Sequence, residues 1–287
     1  PLFDVPWLSL QYATTVSPSV AGFVAGRSIP GIPGEGQRLG LVGFADPDFG
    51  QTGREGKTRS TANLEFRNFF RGGEVDLDHL SNSLEPLPES REELETVVQL
   101  IGGDTDRVFV GRDASETQVR QLDAEGELAR YRIVYFATHA LVTGELDGVT
   151  EPGLVLTLPD RIEERDDGFL AASEIARLRL NADWVVLSAC NTASGDSPGA
   201  PALSGVTRSF FQAGARSVLA SHWPVISDAA VELVTSTFEG AISDEKLSRA
   251  EALRRAMMSI ATDPKAGRKS EPAYWAPFVL VGSSARE

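Results

Sequence analysis

The sequence has little cysteine, little histidine and fewer basic than acidic side chains. Of its 287 residues, one is cysteine and three are histidine, and 41 Asp and Glu outnumber 27 Lys and Arg. A single cysteine excludes an internal disulfide and any metal site built from several thiolates. We therefore expect no cofactor and no metal, and we expect a reducing, cytoplasmic location.

The excess of acidic side chains gives a formal net charge of −14 at pH 7. This sign argues against nucleic acid or an anionic membrane as the main partner. The sequence also lacks an apolar run of the roughly 18 residues needed to cross a bilayer. Its first ten residues lack the basic flank and apolar core of a signal peptide. Because the chain begins with Pro1 instead of methionine, we expect it to be part of a longer protein.

Short apolar runs alternate with segments of helical periodicity along most of the chain. This alternation predicts an α/β protein, a three-layer α/β/α sandwich with a mostly parallel central sheet. We expect residues 1–38 to form a leading segment that packs on a domain of residues 39–287. The predicted strands lie at 38–50, 107–111, 131–140, 153–160, 183–190, 216–225 and 277–282, and the predicted helices at 86–103, 113–128, 202–215, 228–242 and 245–262, with a further helix start within 168–175.

Two of the predicted strands end in residues capable of chemistry. His139 closes the run "RIVYFATH", and Cys190 closes "WVVLSAC". Ligands of parallel sheets bind beyond the carboxyl ends of the strands, so neighbouring strands would bring both side chains to one edge. A cysteine peptidase needs this arrangement, because an imidazole assists thiolate formation and then protonates the leaving amine.

Each of the two residues also has a purely structural interpretation. A free cysteine commonly packs as a small apolar side chain, and a histidine at a strand end commonly makes a structural hydrogen bond. The small and polar residues after Cys190, "NTASGDSPG", favour an accessible position, because a packing cysteine belongs in the middle of a strand. The two placements together favour the chemical interpretation.

Several segments follow one another in the order of a known family. They are "PLPESREELETV", "GRDASETQVR", "RIVYFATHA", "ADWVVLSACNT", "ALSGVTRSFFQAGARSVLASHWPV" and "PAYWAPFVLVG". In these segments the chain resembles the CHAT domain, a caspase-like module associated with tetratricopeptide repeats. The resemblance implies a caspase-like fold for residues 39–287 and the activity of a cysteine endopeptidase. It also implies a longer, regulated protein whose N-terminal repeat region is missing from this chain, acting on a protein or peptide substrate.

The resemblance assigns a role to each matched catalytic position. His139 becomes the general acid and base, and Cys190 becomes the thiolate nucleophile that forms a thioester. The separation of 51 residues agrees with the spacing in caspases, where the histidine precedes the cysteine by about 50 residues. Backbone N–H groups of Cys190 and Ala140 would hold the oxyanion. Caspases and many relatives carry glycine where this chain has Ala140, and a side chain there disfavours a left-handed turn.

The resemblance also assigns a substrate pocket. Ser188, two residues before the nucleophile, is expected to line it together with Ser221, His222 and Trp223 from the loop after the next strand. Metacaspases have an aspartate at the position of Ser188, so a strict preference for basic substrates has no direct support here. The acidic segment 145–167 still favours basic substrates slightly.

Two other functions remain open at this point. The first is a catalytically inactive caspase-like scaffold or signalling domain, in which the side chains of Cys190 and His139 would point apart. The second is a redox sensor built on the single thiol, which would need glutathione or a partner thiol to complete its cycle.

Overall fold

The structure is a computed structural model that describes residues 5–17, 38–50, 70–71, 74–75, 84–102, 107–141, 151–160, 166–189, 205–223, 227–244, 246–263, 265 and 267–284. Their helices are α1 (Leu8–Gln11), α2 (Pro88–Ile101), α3 (Glu116–Ala124), α4 (Ala172–Ile175), α5 (Gly205–Ala213), α6 (Ser227–Ser243), α7 (Arg249–Thr262) and α8 (Pro272–Trp275). Their strands are β1 (Leu39–Pro47), β2 (Phe70–Arg71), β3 (Glu74–Val75), β4 (Arg107–Gly111), β5 (Tyr131–Ala137), β6 (His139–Leu141), β7 (Gly153–Val155), β8 (Phe169–Ala171), β9 (Trp184–Leu187), β10 (Ser217–Ser221) and β11 (Phe278–Gly282).

Six of these strands form a central sheet in the order β11-β10-β9-β5-β1-β4. The five strands from β10 to β4 are parallel to their neighbours, and β11 pairs antiparallel with β10. The parallel strands are almost wholly apolar, as expected for strands that are covered on both faces. The predicted α/β class with a mostly parallel sheet is confirmed.

Helices cover both faces of this sheet. Side chains alternate along β5, so Val134 and Phe136 face the core formed with α3 and α5, whereas Tyr135 and Ala137 face the core formed with α2, α6 and α7. The result is the predicted three-layer sandwich. It places the loops after the parallel strands at one edge of the sheet, where ligands of such folds bind.

The helix ends follow local signals in the sequence. The side chain of Ser115 accepts a hydrogen bond from the backbone N–H of Gln118 at 3.2 Å and caps α3, and Ser248 caps α7 in the same way. Helix α2 ends at Gly102, whose φ of 65° is a left-handed conformation that glycine adopts without strain. The predicted helix at 86–103 is therefore confirmed, two residues shorter at each end.

A second, three-stranded sheet follows β5. Strands β6, β7 and β8 pair antiparallel in that order. The predicted strand at 153–160 is shorter than expected and belongs to this sheet, not to the central one. The chain leaves the central sheet at Thr138, and Gly153–Val155 pairs with the segment that follows this bend. This second sheet lies beyond the carboxyl end of β5 and holds His139.

An ion-pair cluster centred on Asp183 lies at the amino ends of the central strands, opposite the carboxyl ends where His139 lies. Its carboxylate accepts hydrogen bonds from Arg38 at 3.0 Å, from Arg132 at 2.9 Å and from Arg216 at 3.3 Å. Asp183 directly precedes β9, so the cluster lies at the amino end of the strand that leads to Cys190. It contributes to the fold and lies away from the candidate site.

Residues 5–17 of the leading segment contact residues in the C-terminal part of the sequence. Val16 forms an isolated parallel bridge with Val281, with its N–H donating to Leu280 and its carbonyl accepting from Gly282. The ring of Trp7 packs edge-on against Trp275, with ring centroids 5.7 Å apart. Val16 therefore adds a single bridge to the β11 edge, and the domain boundary at residue 38 stays a prediction.

Candidate active site at the carboxyl edge of the sheet

His139 lies at the carboxyl edge of the central sheet, where the chain leaves β5. The chain bends at Thr138, whose hydroxyl donates to the carbonyl oxygen of Val155 in β7. His139 then begins β6 and pairs with Val155. The predicted strand 131–140 is in fact two strands in two sheets, and the bend between them directs His139 out of the central sheet.

Two neighbours orient the imidazole of His139. Its Nε2 lies 2.8 Å from the carbonyl oxygen of Glu85, and its ring centroid is 5.3 Å from that of Phe49. Because a carbonyl oxygen only accepts, Nε2 carries the proton. This tautomer makes Nδ1 the basic nitrogen of the ring.

Ala140 follows in the same strand and is buried. Among the described residues other than glycine, Asp46 alone has a positive φ, at 47°. Ala140 therefore does not adopt the left-handed turn that its side chain would disfavour. The side chain of Ala140 therefore introduces no backbone strain at this position.

The end of β9 leads toward Cys190, which itself lies outside the described residues. The N–H of Ser188 donates to the carbonyl oxygen of Phe136 in β5 at 2.9 Å, which continues the pairing of the two strands beyond Leu187. The carbonyl oxygen of Ala189 accepts a hydrogen bond from the hydroxyl of Ser221, a fully buried residue at the end of β10. The last two described residues before Cys190 are therefore hydrogen-bonded to the neighbouring strands, Ser188 to β5 and Ala189 to β10.

The side chain of Ser188 belongs to a buried polar cluster. The Tyr135 hydroxyl of β5 donates to the Glu93 carboxylate of α2, and a polar interaction with Ser188, just after β9, favours the ionised form of both groups. Glu93 is 3% exposed and Tyr135 is fully buried. Burial raises the pKa of Glu93 to about 7, against the smaller lowering by Tyr135 and Ser188, and burial also raises the pKa of Tyr135.

The other predicted pocket residues follow β10. The N–H of His222 donates to the carbonyl oxygen of Pro277 at 2.8 Å, and its ring stacks on Trp223 with centroids 6.2 Å apart. His222 also lines a groove of about 200 Å³ together with side chains from α7 and β11, including Leu253, Met257 and Phe278. The substrate-pocket roles of Ser188, Ser221, His222 and Trp223 stay predictions, and the side chains of Ser188 and Ser221 are engaged in the contacts described above.

Four residues around the site were not singled out from the sequence: Phe49, Glu85, Glu93 and Tyr135. Glu85 acts through its backbone carbonyl, which carries no side-chain signal. Glu93 had a signal, because it lies four residues before Val97 on the apolar face of α2, where a carboxylate is unexpected.

Two kinds of feature are absent from the part of the chain that the structure describes. No three His, Cys, Asp or Glu side chains there lie close enough together to hold a metal ion. The described helices also include none with the length and apolar composition of a transmembrane span.

Comparison with known proteins identifies the family. The family model of the CHAT domain matches residues 4–283. The chain belongs to the CHAT domain family. The match confirms the resemblance read from the sequence and covers nearly all of this CHAT domain.

Two curated relatives of this CHAT domain carry the same name. Tetratricopeptide repeat protein 28 of Mus musculus is 28% identical over 228 residues, and the human protein of that name is 29% identical over 228 residues. Each match covers 70% of this chain and 9% of the relative. The matched part of this chain therefore corresponds to less than a tenth of the length of either relative.

Among solved structures, the Arg-specific cysteine proteinase gingipain R (RgpB) aligns with 87% of this CHAT domain and 48% of its own chain, at 9% identity and a TM-score of 0.46. The complex of the Porphyromonas gingivalis RgpB pro- and mature domains aligns over the same shares, at 8% identity and the same TM-score.

Proposed function

We propose that this CHAT domain is a cysteine endopeptidase that uses a dyad of His139 and Cys190. The observation that carries the proposal is the pairing of β5 with β9, in which four residues of β5 pair with the residue 51 positions later, from Ile133 with Trp184 to Phe136 with Leu187. The same offset, counted from His139, leads to Cys190. In the sequence, His139 and Cys190 each come three residues after Phe136 and Leu187, which are the last pair of these two adjacent, parallel strands.

The tautomer of His139 supports the same function. With Nε2 donating to the Glu85 carbonyl, Nδ1 can accept the proton of the Cys190 thiol. The thiolate then attacks the carbonyl carbon of a peptide bond, and backbone N–H groups of Cys190 and Ala140 hold the oxyanion. The C–N bond breaks, the imidazolium gives its proton to the leaving amine, and a thioester remains. Water, deprotonated by His139, hydrolyses the thioester and regenerates the thiol.

The setting of the activity is part of the proposal. We propose a protein or peptide substrate and a cytoplasmic location, because a free thiolate persists in a reducing compartment. The relatives are named for tetratricopeptide repeats. A repeat region N-terminal to this domain is therefore proposed as its regulatory partner.

The experiment uses the fact that Cys190 is the only cysteine. Alkylation by iodoacetamide, followed by intact mass, therefore reports on this thiol alone, and Cys190→Ala is the blank. An assembled dyad lowers the thiol pKa from about 8.5 toward 7, which raises the thiolate fraction at pH 7 about tenfold. We expect His139→Ala to abolish that gain, so that its rate equals that of the wild-type chain unfolded in urea.

Equal alkylation rates in the wild type and in His139→Ala contradict the proposal and favour the inactive scaffold. Labelling that peroxide blocks and a thiol reductant restores, without cleavage of any peptide, favours the redox sensor. A peptidyl acyloxymethyl ketone provides the second reagent, because stoichiometric labelling by it requires a peptidase-like site as well as a reactive thiol.

A further inference from the structure

The cluster of Glu93, Tyr135 and Ser188 joins three elements next to the candidate dyad. Tyr135 lies in β5, four residues before His139, and Ser188 follows β9, two residues before Cys190. Glu93 comes from α2, which packs on the same face of the sheet. One buried carboxyl group therefore interacts with both of the strands that lead to the dyad, through a hydrogen bond from Tyr135 and a polar interaction with Ser188.

A cluster of this composition is a poor way to stabilise a core. Burying a carboxyl group is unfavourable, and apolar residues of similar size are often equally or more stable in such positions. The Glu93 carboxyl is buried, and the groups that interact with it are two neutral hydroxyl groups, those of Tyr135 and Ser188. Polar networks in which each member is hydrogen-bonded make an arrangement rigid and specific.

We propose that Glu93, Tyr135 and Ser188 are positioning residues that fix the end of β9 relative to the end of β5, and so set the distance between Cys190 and His139. The inference rests on the proposed function, because it concerns the geometry of that dyad. Backbone contacts already hold Ser188 to Phe136 and Ala189 to Ser221. The cluster adds side-chain contacts at the same two strand ends.

The test is the pH profile of iodoacetamide alkylation of Cys190 in the whole chain. We expect Tyr135→Phe and Ser188→Ala each to lower the rate constant at pH 7 by about tenfold, since reactivity depends steeply on placement at the 1 Å level. In both variants the apparent pKa of the thiol should rise toward its unperturbed value of about 8.5. Iodoacetamide has no peptide side chain, so an effect of Ser188 on substrate binding does not enter.

Three further variants separate positioning from a general loss of structure. Glu93→Gln keeps an oxygen that accepts from Tyr135, and its rate should stay within about twofold of the wild type. The double variant Tyr135→Phe/Ser188→Ala should be no slower than the slower single variant, because both substitutions break one network. Tyr131→Phe removes a hydroxyl from a buried tyrosine at the far end of β5 and should leave the rate unchanged.

The outcomes distinguish this inference from the proposed function. If His139→Ala slows alkylation and Tyr135→Phe and Ser188→Ala do not, the dyad stands and the positioning role is wrong. If His139→Ala alkylates like the wild type, the dyad itself is wrong, and the positioning role is wrong with it. Ser188→Ala removes one hydroxyl from a half-buried residue, so it keeps the test valid even if a substitution at Tyr135 prevents folding.

Discussion

The Nε2 atom of His139 lies 2.8 Å from the carbonyl oxygen of Glu85, a residue 54 positions earlier in the chain. This contact sets the tautomer of the imidazole and holds its ring plane. The Glu85 carbonyl therefore orients the ring and leaves the second nitrogen basic, as the aspartate side chain does for the histidine of a Ser-His-Asp triad.

The tautomer of His139 can be observed directly. We expect the neutral ring to carry its proton on Nε2, because the Glu85 carbonyl can only accept. Long-range ¹H–¹⁵N correlation spectra of uniformly ¹⁵N-labelled protein at about pH 8 separate the two nitrogens of a neutral imidazole. A spectrum with the proton on Nδ1 of His139 contradicts the geometry described here and the proposed transfer of a proton from Cys190.

The ring of Phe49 should matter for reactivity beyond its contribution to stability. Phe49→Ala removes a fully buried ring and should lower the free energy of unfolding by about 3–5 kcal/mol. It also removes the ring that packs on His139, so alkylation of Cys190 should slow at pH 7. Phe169→Ala is the matched control, because Phe169 belongs to the same apolar cluster. Equal alkylation rates in the two variants at equal folded fraction would show that Phe49 has no part in holding the imidazole.

Glu93 should make the protein less stable as the pH rises. Its pKa is about 7 in the folded chain and 4.5 in the unfolded chain. Between these values the folded state keeps a proton that the unfolded state has released, so stability falls from about pH 4.5 to pH 7 and stays low above. We expect Glu93→Gln to raise the free energy of unfolding at pH 8 by about 3 kcal/mol.

Urea unfolding of the wild type and Glu93→Gln across about pH 5 to 8 measures this difference. The difference in the free energy of unfolding between the two proteins should grow with pH. Burial also raises the pKa of Glu116 to about 7, but both proteins contain Glu116, so its contribution cancels in the difference. A gain that is constant over the whole range means that the Glu93 carboxyl does not titrate there. A variant that is more stable and still fully reactive agrees with a cluster in which the hydrogen bonds matter more than the charge.

Asp183 should stabilise the fold without affecting the site. Burial raises the pKa of its carboxyl group. The hydrogen bond from Arg132 and the charge of Arg38 lower this pKa by more than burial raises it, so the pKa lies below its usual value. The stabilisation is present at neutral pH and is lost as the pH falls through this lowered pKa. Asp183→Asn leaves the buried guanidinium groups of Arg38 and Arg216 without their counter-charge and should cost about 3 kcal/mol.

The measurement for Asp183→Asn is again urea unfolding, at about pH 7 and at about pH 3. The cost should shrink at the lower pH, where the wild-type carboxyl also begins to lose its charge. Alkylation of Cys190 in the folded variant should match the wild type, since Asp183 lies at the amino end of β9. A slower alkylation would mean that the two ends of the strand are coupled.

Much of the central sheet could be predicted from the sequence, because its strands are short apolar runs with clear ends. The run at 107–111 is a strand over those same residues, and the predicted helix at 245–262 is confirmed from Arg249 onward. Periodicity could not show that the run "RIVYFATHA" divides at Thr138, because the β-branched and aromatic residues before the bend, and Thr138 itself, all favour a strand. The division depends on the contact of Thr138 with Val155, which lies in another strand.

The sequence by itself determined the layers of the fold, the family, and the positions of His139 and Cys190 after two apolar strands, because these follow from local periodicity and from motif order. The tertiary structure alone decided which groups surround those positions: the Glu85 carbonyl on the imidazole, and Glu93 between Tyr135 and Ser188. These contacts join residues 54 and 42 positions apart, and they depend on strand register and helix placement. A backbone carbonyl has the same appearance at every position of a sequence, so only folding distinguishes the one that holds His139.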